Sequence, residues 1–234
     1  MPVYYLPEDP IFPPASEAEP NGLLAVGGDL SAKRLLAAYS EGIFPWFSKG
    51  DPFLWWSPDP RLILTPERLH ISKSLKKTIR KNRFHITFDC AFESVIKGCS
   101  QAKRGDEQEG GTWITDDMLT AYTELHRLGH AHSVEAWVLE DDKAVLAGGT
   151  YGIALGRCFF GESMFHYRPE ASKVAFVALV AELKKRGVEL IDCQMKTEHL
   201  LRFGAWEITR DEFLELLNRS IALPGDLSPW RINP

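Results

Sequence analysis

The sequence has no long hydrophobic run: its longest unbroken apolar stretch, Val174 to Ala181, is eight residues. A membrane-spanning helix needs about twenty, so neither a bilayer-spanning helix nor a membrane partner is expected. Cysteine is scarce, with Cys90, Cys99, Cys158 and Cys193 scattered and without C-x-x-C spacing. That pattern excludes a zinc knuckle or a disulfide scaffold and predicts buried free thiols. The start, MPVYYLPEDPIFPP, lacks the basic and then apolar pattern of a secretory signal, so a cytoplasmic protein is expected. An excess of positive charge is missing as well. A net charge of −5 and a pI near 5.8 exclude a wholly basic nucleic-acid-binding domain. Internal repeats and low-complexity tracts are absent.

What is present is ordinary globular matter: 44% hydrophobic and 25% charged residues over 234 positions, which suits one large domain with a small appendage. Residues 1–60 are dense in proline and glycine and hold one helical stretch, Ser31 to Ser40, with Ser31 as its N-cap. They read as a small loop-rich domain. From residue 61 the texture becomes regular. RLILT and HITFD are strand-like, helices fall near 71–82 and 91–99, and Gln101 to Gly111 reads as an exposed loop. Thr115 caps a helix that ends at Gly129. SVEAWVL, VLAGGTYGIAL and CFFGESMF, separated by Asp-Asp and Gly-Arg, predict an antiparallel meander. A helix opened by Pro169 and Glu170 and closed by Lys184 to Gly187 leads into strand ELIDCQ, a short helix near 196–203, strand WEITR and a helix over 211–219. The fold class is α+β, a mixed α/β chain, with the larger domain over 61–234 built on a mostly antiparallel sheet.

Several residues could carry chemistry. Alternation along strand 189–194 puts Asp192 and Gln194 on one face and Cys193 on the other, so a carboxylate and an amide share a direction at a strand end. They form either a proton-handling, amine-orienting pair or a polar strand terminus bonded to nearby loops. Glu162, two residues after Phe159 and Phe160, is costly to bury alone. A bound cation or a structural base such as Arg157 or Arg168 would compensate it. His126, His130 and His132 invite a metal reading, but Gly129 breaks the helix between the first two and no Glu follows His126. No metal site is assigned. Lys73, Lys76, Lys77, Arg80, Lys81 and Arg83 form an acid-free run whose helical face opposes Ile71, Leu75 and Ile79. This is a docked helix showing a basic face, either solvated or turned to a polyanion. Trp46, Trp55, Trp56 and Trp113 lie in Pro- or Gly-flanked segments, where flat side chains either stack bases or anchor packing.

The words EPNGLLAVGGDL (19–30), GIFPWF (42–47), LWWSPDPR (54–61), GTWIT (111–115), LGHAHSVE (128–135), GESMF (161–165) and LIDCQ (190–194) together resemble the bacterial leucyl/phenylalanyl-tRNA-protein transferases. The resemblance implies transfer of Leu, Phe or, less efficiently, Met from Leu-tRNA, Phe-tRNA or Met-tRNA to the α-amine of proteins beginning with Arg or Lys, an N-degron that marks them for degradation. It also implies a small N-terminal domain joined to an acetyltransferase-like (GNAT-like) one. FHYRPEASKVAF lacks the glycines of an acetyl-CoA pyrophosphate turn, so no cofactor is expected. By the same resemblance Asp192 holds or deprotonates the incoming amine and Gln194 orients the amine or the carbonyl. Trp46 and Trp113, more weakly Tyr39 and Tyr122, grip the terminal adenosine, and the basic helix meets the tRNA backbone. Phe159, Met164 and Ile191 line the aminoacyl pocket beside Glu162. Thr150 stands where larger apolar residues are common, and Leu179 where Phe can occur. An acyl-CoA-dependent N-acyltransferase and a non-catalytic tRNA-binding module are the competing classes.

Overall fold

The computed structural model describes residues 3–102, 112–226 and Trp230, so residues 103–111 of the expected loop lie outside the described residues. Two sheets organise the rest. The first takes β1 (Tyr4–Leu6), β2 (Leu23–Gly27), β4 (Leu54–Trp56) and β3 (Phe44–Pro45) in that spatial order. Helix α1 (Ala32–Ser40) lies between β2 and β3 in the chain, and the Ser31 side chain accepts from the Arg34 N–H at its start.

The second sheet has seven strands, in the order β11 (Trp206–Ile208), β5 (Arg61–Leu64), β10 (Leu190–Gln194), β9 (Cys158–His166), β8 (Lys143–Leu155), β7 (Ala131–Glu140) and β6 (His85–Phe88). Its neighbours are antiparallel except β9 and β10. Parallel neighbours require a crossover, supplied here by helix α5 (Ala171–Lys185). The β7–β8 hairpin turns at Asp141 and Asp142, both at positive φ, as a tight two-residue hairpin needs. The expected antiparallel meander is therefore β7–β8–β9. The remaining helices are α2 (Lys73–Arg80), α3 (Phe92–Gln101), α4 (Asp116–Arg127), α6 (Glu198–Leu201) and α7 (Arg210–Ala222). Glu170, expected inside the start of α5, instead sits at its N-cap in a left-handed conformation with φ 72°.

Two buried clusters hold these layers. One joins the sheets, packing Leu24, Ala25 and Trp55 of the first with Ile63, Phe160 and Phe213 of the second part. The smaller sheet thus has no core separate from its neighbour. The other lies under α5, where Val174, Leu179 and Leu183 meet Leu62, Phe159 and Ile191. Gly152 makes room there: a Cβ on it would meet ring carbons of Phe159 at 2.5 and 2.6 Å, so the bare backbone lets that ring lie across β8. No helix among the described residues is long and apolar enough to cross a membrane.

Candidate active site

The β9–β10 ladder ends early. Its last partners are Asp192 and Phe160, although β9 runs on to His166 and β10 to Gln194. Both strands bulge just past that point. Against β8, Tyr151 pairs with Ser163 and Gly152 with Gly161, which leaves Glu162 as the extra residue; against β5, Asp192 pairs with Ile63 and Gln194 with Leu62, which leaves Cys193. Bulges re-aim side chains and interrupt pairing, and two at one level open the sheet. A cavity of about 640 Å³ occupies the opening.

Its wall is apolar. Phe159, Met164, Phe176, Leu179 and Ile191 line it, with Phe44, Trp46 and Trp113 also on its surface. Thr150 lines it too, and its hydroxyl donates to the Ser163 carbonyl at 3.0 Å, so this buried polar group is satisfied. Of the carboxylates among the described residues, Glu162 alone lines the cavity. It accepts hydrogen bonds from Tyr39 at 2.8 Å, Tyr122 at 3.2 Å and Gln194 Nε2 at 3.0 Å, while the two tyrosine hydroxyls also contact each other. Burial pushes its carboxyl up to about 7, against the pull of these donors. Among the described residues its partners are the two phenols and the amide, and the two bases expected to compensate it are engaged elsewhere. Arg157 pairs with Glu189 and Arg168 with Glu140.

Tyr39 and Tyr122, expected as grips on an adenosine, are 0% exposed and present no face for stacking. Their position makes them donors to Glu162, and burial raises both phenols well above their usual range. Trp46 and Trp113 do reach the cavity; Trp46 is braced edge-on by Trp56, whose indole N–H donates to the Trp46 carbonyl at 2.6 Å.

The strand-face expectation for β10 fails. Asp192 is 0% exposed and does not line the cavity, whereas Cys193 and Gln194 do. The reason is the bulge: Gln194 has φ 62°, so the pleat is broken after Asp192 and simple alternation no longer applies. Asp192 is instead enclosed by protein groups. Its Oδ1 accepts from Arg61 Nε at 2.8 Å and its Oδ2 from Arg61 Nη2 at 2.6 Å; Oδ1 also accepts the backbone N–H of Gln194 at 2.8 Å. No pattern in the sequence singles out Arg61, because its partner lies 131 positions away. The Cys193 thiol is held protonated by burial and by Asp192.

The basic helix α2 is built as its pattern implies. Leu75 is buried, Ile71 and Ile79 pack against the core beneath α5, and Lys73, Lys76, Lys77, Arg80, Lys81 and Arg83 are exposed. None of the six makes an ion pair with a described residue. The histidines have other partners: His132 Nδ1 meets Asp89 at 2.8 Å and His126 Nδ1 meets the Ala131 carbonyl at 2.8 Å. No group of three or more metal-ligating side chains gathers among the described residues.

Comparison with known proteins decides the family. The leucyl/phenylalanyl-tRNA protein transferase family matches residues 63–218, and the N-terminal domain of the same transferases matches residues 28–59. The chain belongs to this family. A leucyl/phenylalanyl-tRNA–protein transferase of Anaeromyxobacter dehalogenans is 55% identical over 232 residues, covering 99% of this chain and 97% of the relative. One from Syntrophotalea carbinolica is 56% identical over 230 residues, and one from Nitratidesulfovibrio vulgaris strain DP4 is 51% identical over 233, each covering 97% of the relative and 98% and 99% of this chain. Among solved structures, FemX aligns with a TM-score of 0.45 at 8% identity, covering 80% of this chain and 71% of FemX. L-PGS from Bacillus licheniformis aligns with a TM-score of 0.41 at 11% identity, covering 85% and 73%.

Proposed function

We propose that this member of the family moves Leu or Phe, and Met less efficiently, from aminoacyl-tRNA to the N-terminal α-amine of proteins that begin with Arg or Lys. The product is a peptide bond and a degradation signal, made in the cytoplasm. The observation that carries this reading is an apolar cavity of about 640 Å³ with one carboxylate on its wall. Phe159, Met164, Leu179, Ile191 and Thr150 receive the aminoacyl side chain, and Trp46 and Trp113 stack the terminal adenosine. The exposed cations of α2 contact the tRNA backbone. On this reading residues 61–234 form an acetyltransferase-like domain, and residues 1–60 a smaller domain that shares its core.

An aminoacyl ester is already activated, so no enzyme nucleophile is required. The acceptor amine nitrogen attacks the ester carbonyl carbon, the bond to the ribose oxygen breaks, and the proton lost by the amine ends on that oxygen. A protein α-amine has a pKa near 8, and a carboxyl titrating near 7 is matched to exchange a proton with it. Glu162 therefore takes and returns the proton, and Gln194 orients the reacting groups beside it. Positioning of the amine against the ester supplies several kcal/mol more. Asp192 acts at one remove, through the backbone of Gln194.

Incubating the protein with Phe-tRNA and an Arg-initiated peptide, then measuring peptide mass, tests the reading. A peptide heavier by one phenylalanyl residue supports it. Acylation only when an acyl-CoA is supplied, or tRNA binding that leaves the ester intact, would replace it with one of the competing classes.

A further inference from the structure

A fully buried arginine needs a reason, because removing guanidinium from water is costly unless its charge is paired and its donors are used. Arg61 is 0% exposed, and so is its partner Asp192. The pair is bidentate at 2.8 and 2.6 Å, a geometry that fixes the carboxylate plane as well as its position. The guanidinium packs over two rings, 4.9 Å from the Phe44 centroid and 4.5 Å from that of Phe213. Phe44 itself lines the cavity. The remaining nitrogen, Nη1, has no hydrogen-bond partner among the described residues. This is a cation packed against two rings, whose hydrogen bonds to described residues all go to one carboxylate.

That carboxylate acts on the backbone of the site. Its Oδ1 accepts the N–H of Gln194, a residue in the left-handed region at φ 62°, which a side-chain-bearing residue adopts only when its surroundings impose it. The same Gln194 extends its amide to Glu162 at 3.0 Å. We propose that Arg61 is a positioning residue for the transfer reaction: through Asp192 it enforces the turn that presents Gln194 to Glu162 and the reacting groups. The inference rests on the reading of Glu162 and Gln194 as the reaction centre. Lysine cannot substitute, since a point charge has no fork to hold both carboxylate oxygens.

A pair that served only the fold would behave differently from one that serves geometry. Replacing both partners by apolar residues of similar volume is often neutral or stabilising, whereas removing one leaves a buried charge. The test measures melting temperature, Kd for Phe-tRNA and the single-turnover transfer rate for wild type, Arg61→Lys, and the double variant Arg61→Met with Asp192→Leu. We expect the double variant to melt near wild type, with tRNA affinity within about twofold and the rate down by tenfold or more. Arg61→Lys should lose tenfold or more in rate at unchanged tRNA affinity. A double variant that regains the wild-type rate along with its melting temperature would overturn the proposal. Should the double variant not fold, a wild-type rate in Arg61→Lys would do the same. Absence of transfer by wild type in this assay would instead overturn the reading of the reaction centre, and Arg61 with it.

Discussion

Gln194 Nε2 donates to Glu162 Oε1 at 3.0 Å, across the gap where β10 and β9 no longer pair. The contact joins two bulged strands that have no backbone bonds left between them at this level. It makes the amide of β10 the bridge to the carboxylate of β9.

Glu162→Gln is expected to lower single-turnover transfer by about 10²- to 10⁴-fold, the range for loss of a proton-transfer group. The same variant should be more stable at high pH. Burial raises the folded-state carboxyl from 4.5 to about 7, so the protonated form stabilises the fold below about pH 4.5 and that contribution is lost as pH rises through 7. The amide removes this loss, worth on the order of 3 kcal/mol. Melting temperatures of both proteins at pH 5 and pH 8 check it; an equal pH dependence would count against the assignment.

Tyr39→Phe and Tyr122→Phe each delete a hydroxyl donor that holds the Glu162 carboxyl down. With either donor gone the carboxyl titrates higher, so the rising limb of the transfer rate against pH should move to higher pH, further still in the double variant. A limb that does not move would mean a different group controls the profile.

Replacing Lys76, Lys77, Arg80 and Lys81 with Gln should weaken tRNA binding and reduce the slope of log affinity against log salt by about one for each phosphate that is no longer neutralised. Transfer at saturating aminoacyl-tRNA should stay near wild type. Filter binding at several salt concentrations reads the slope directly, and an unaltered slope would make α2 a solvated face only.

Donor choice rests on an apolar cavity, so each methylene added or removed is limited to about 1–3 kcal/mol. Thr150 is small, buried and satisfied by the Ser163 carbonyl, which leaves room favouring Phe. Thr150→Met should shift the product ratio toward Leu when Leu-tRNA and Phe-tRNA compete for one Arg-initiated peptide. Cys193 lines the same cavity, and Cys193→Ala should alter that ratio in the opposite sense without abolishing chemistry.

The parts of this structure legible in the sequence are those set within a few residues. Ser31 and Thr115 cap helices through bonds to residues three positions on, and Asp141–Asp142 sets its hairpin by its own backbone. The basic helix declares itself by the spacing of Leu75 and Ile79 against six cations. The site is only half legible. Alternation presumes an unbroken pleat, and the bulges at Glu162 and Cys193 exist because of pairing with β8 and β5, which no local pattern encodes. The partners of Asp192 and Glu162 lie 131 and 123 positions away in Arg61 and Tyr39, and a side chain gives no sign along the chain of what will be folded against it.

Tyr39 comes from α1, yet its hydroxyl ends on a carboxylate of β9, and Phe44 and Trp46 reach the same cavity from the first sheet. A ribosome delivers these three long before it delivers β9. During synthesis the N-terminal sixty residues have neither their shared core nor anything to act on, and the later strands, alone, would bury Glu162 without one of its donors. The cavity is consequently complete only once both sheets have folded together. A copy without residues 1–60 would lack Tyr39, Phe44 and Trp46 from the cavity and from its carboxylate.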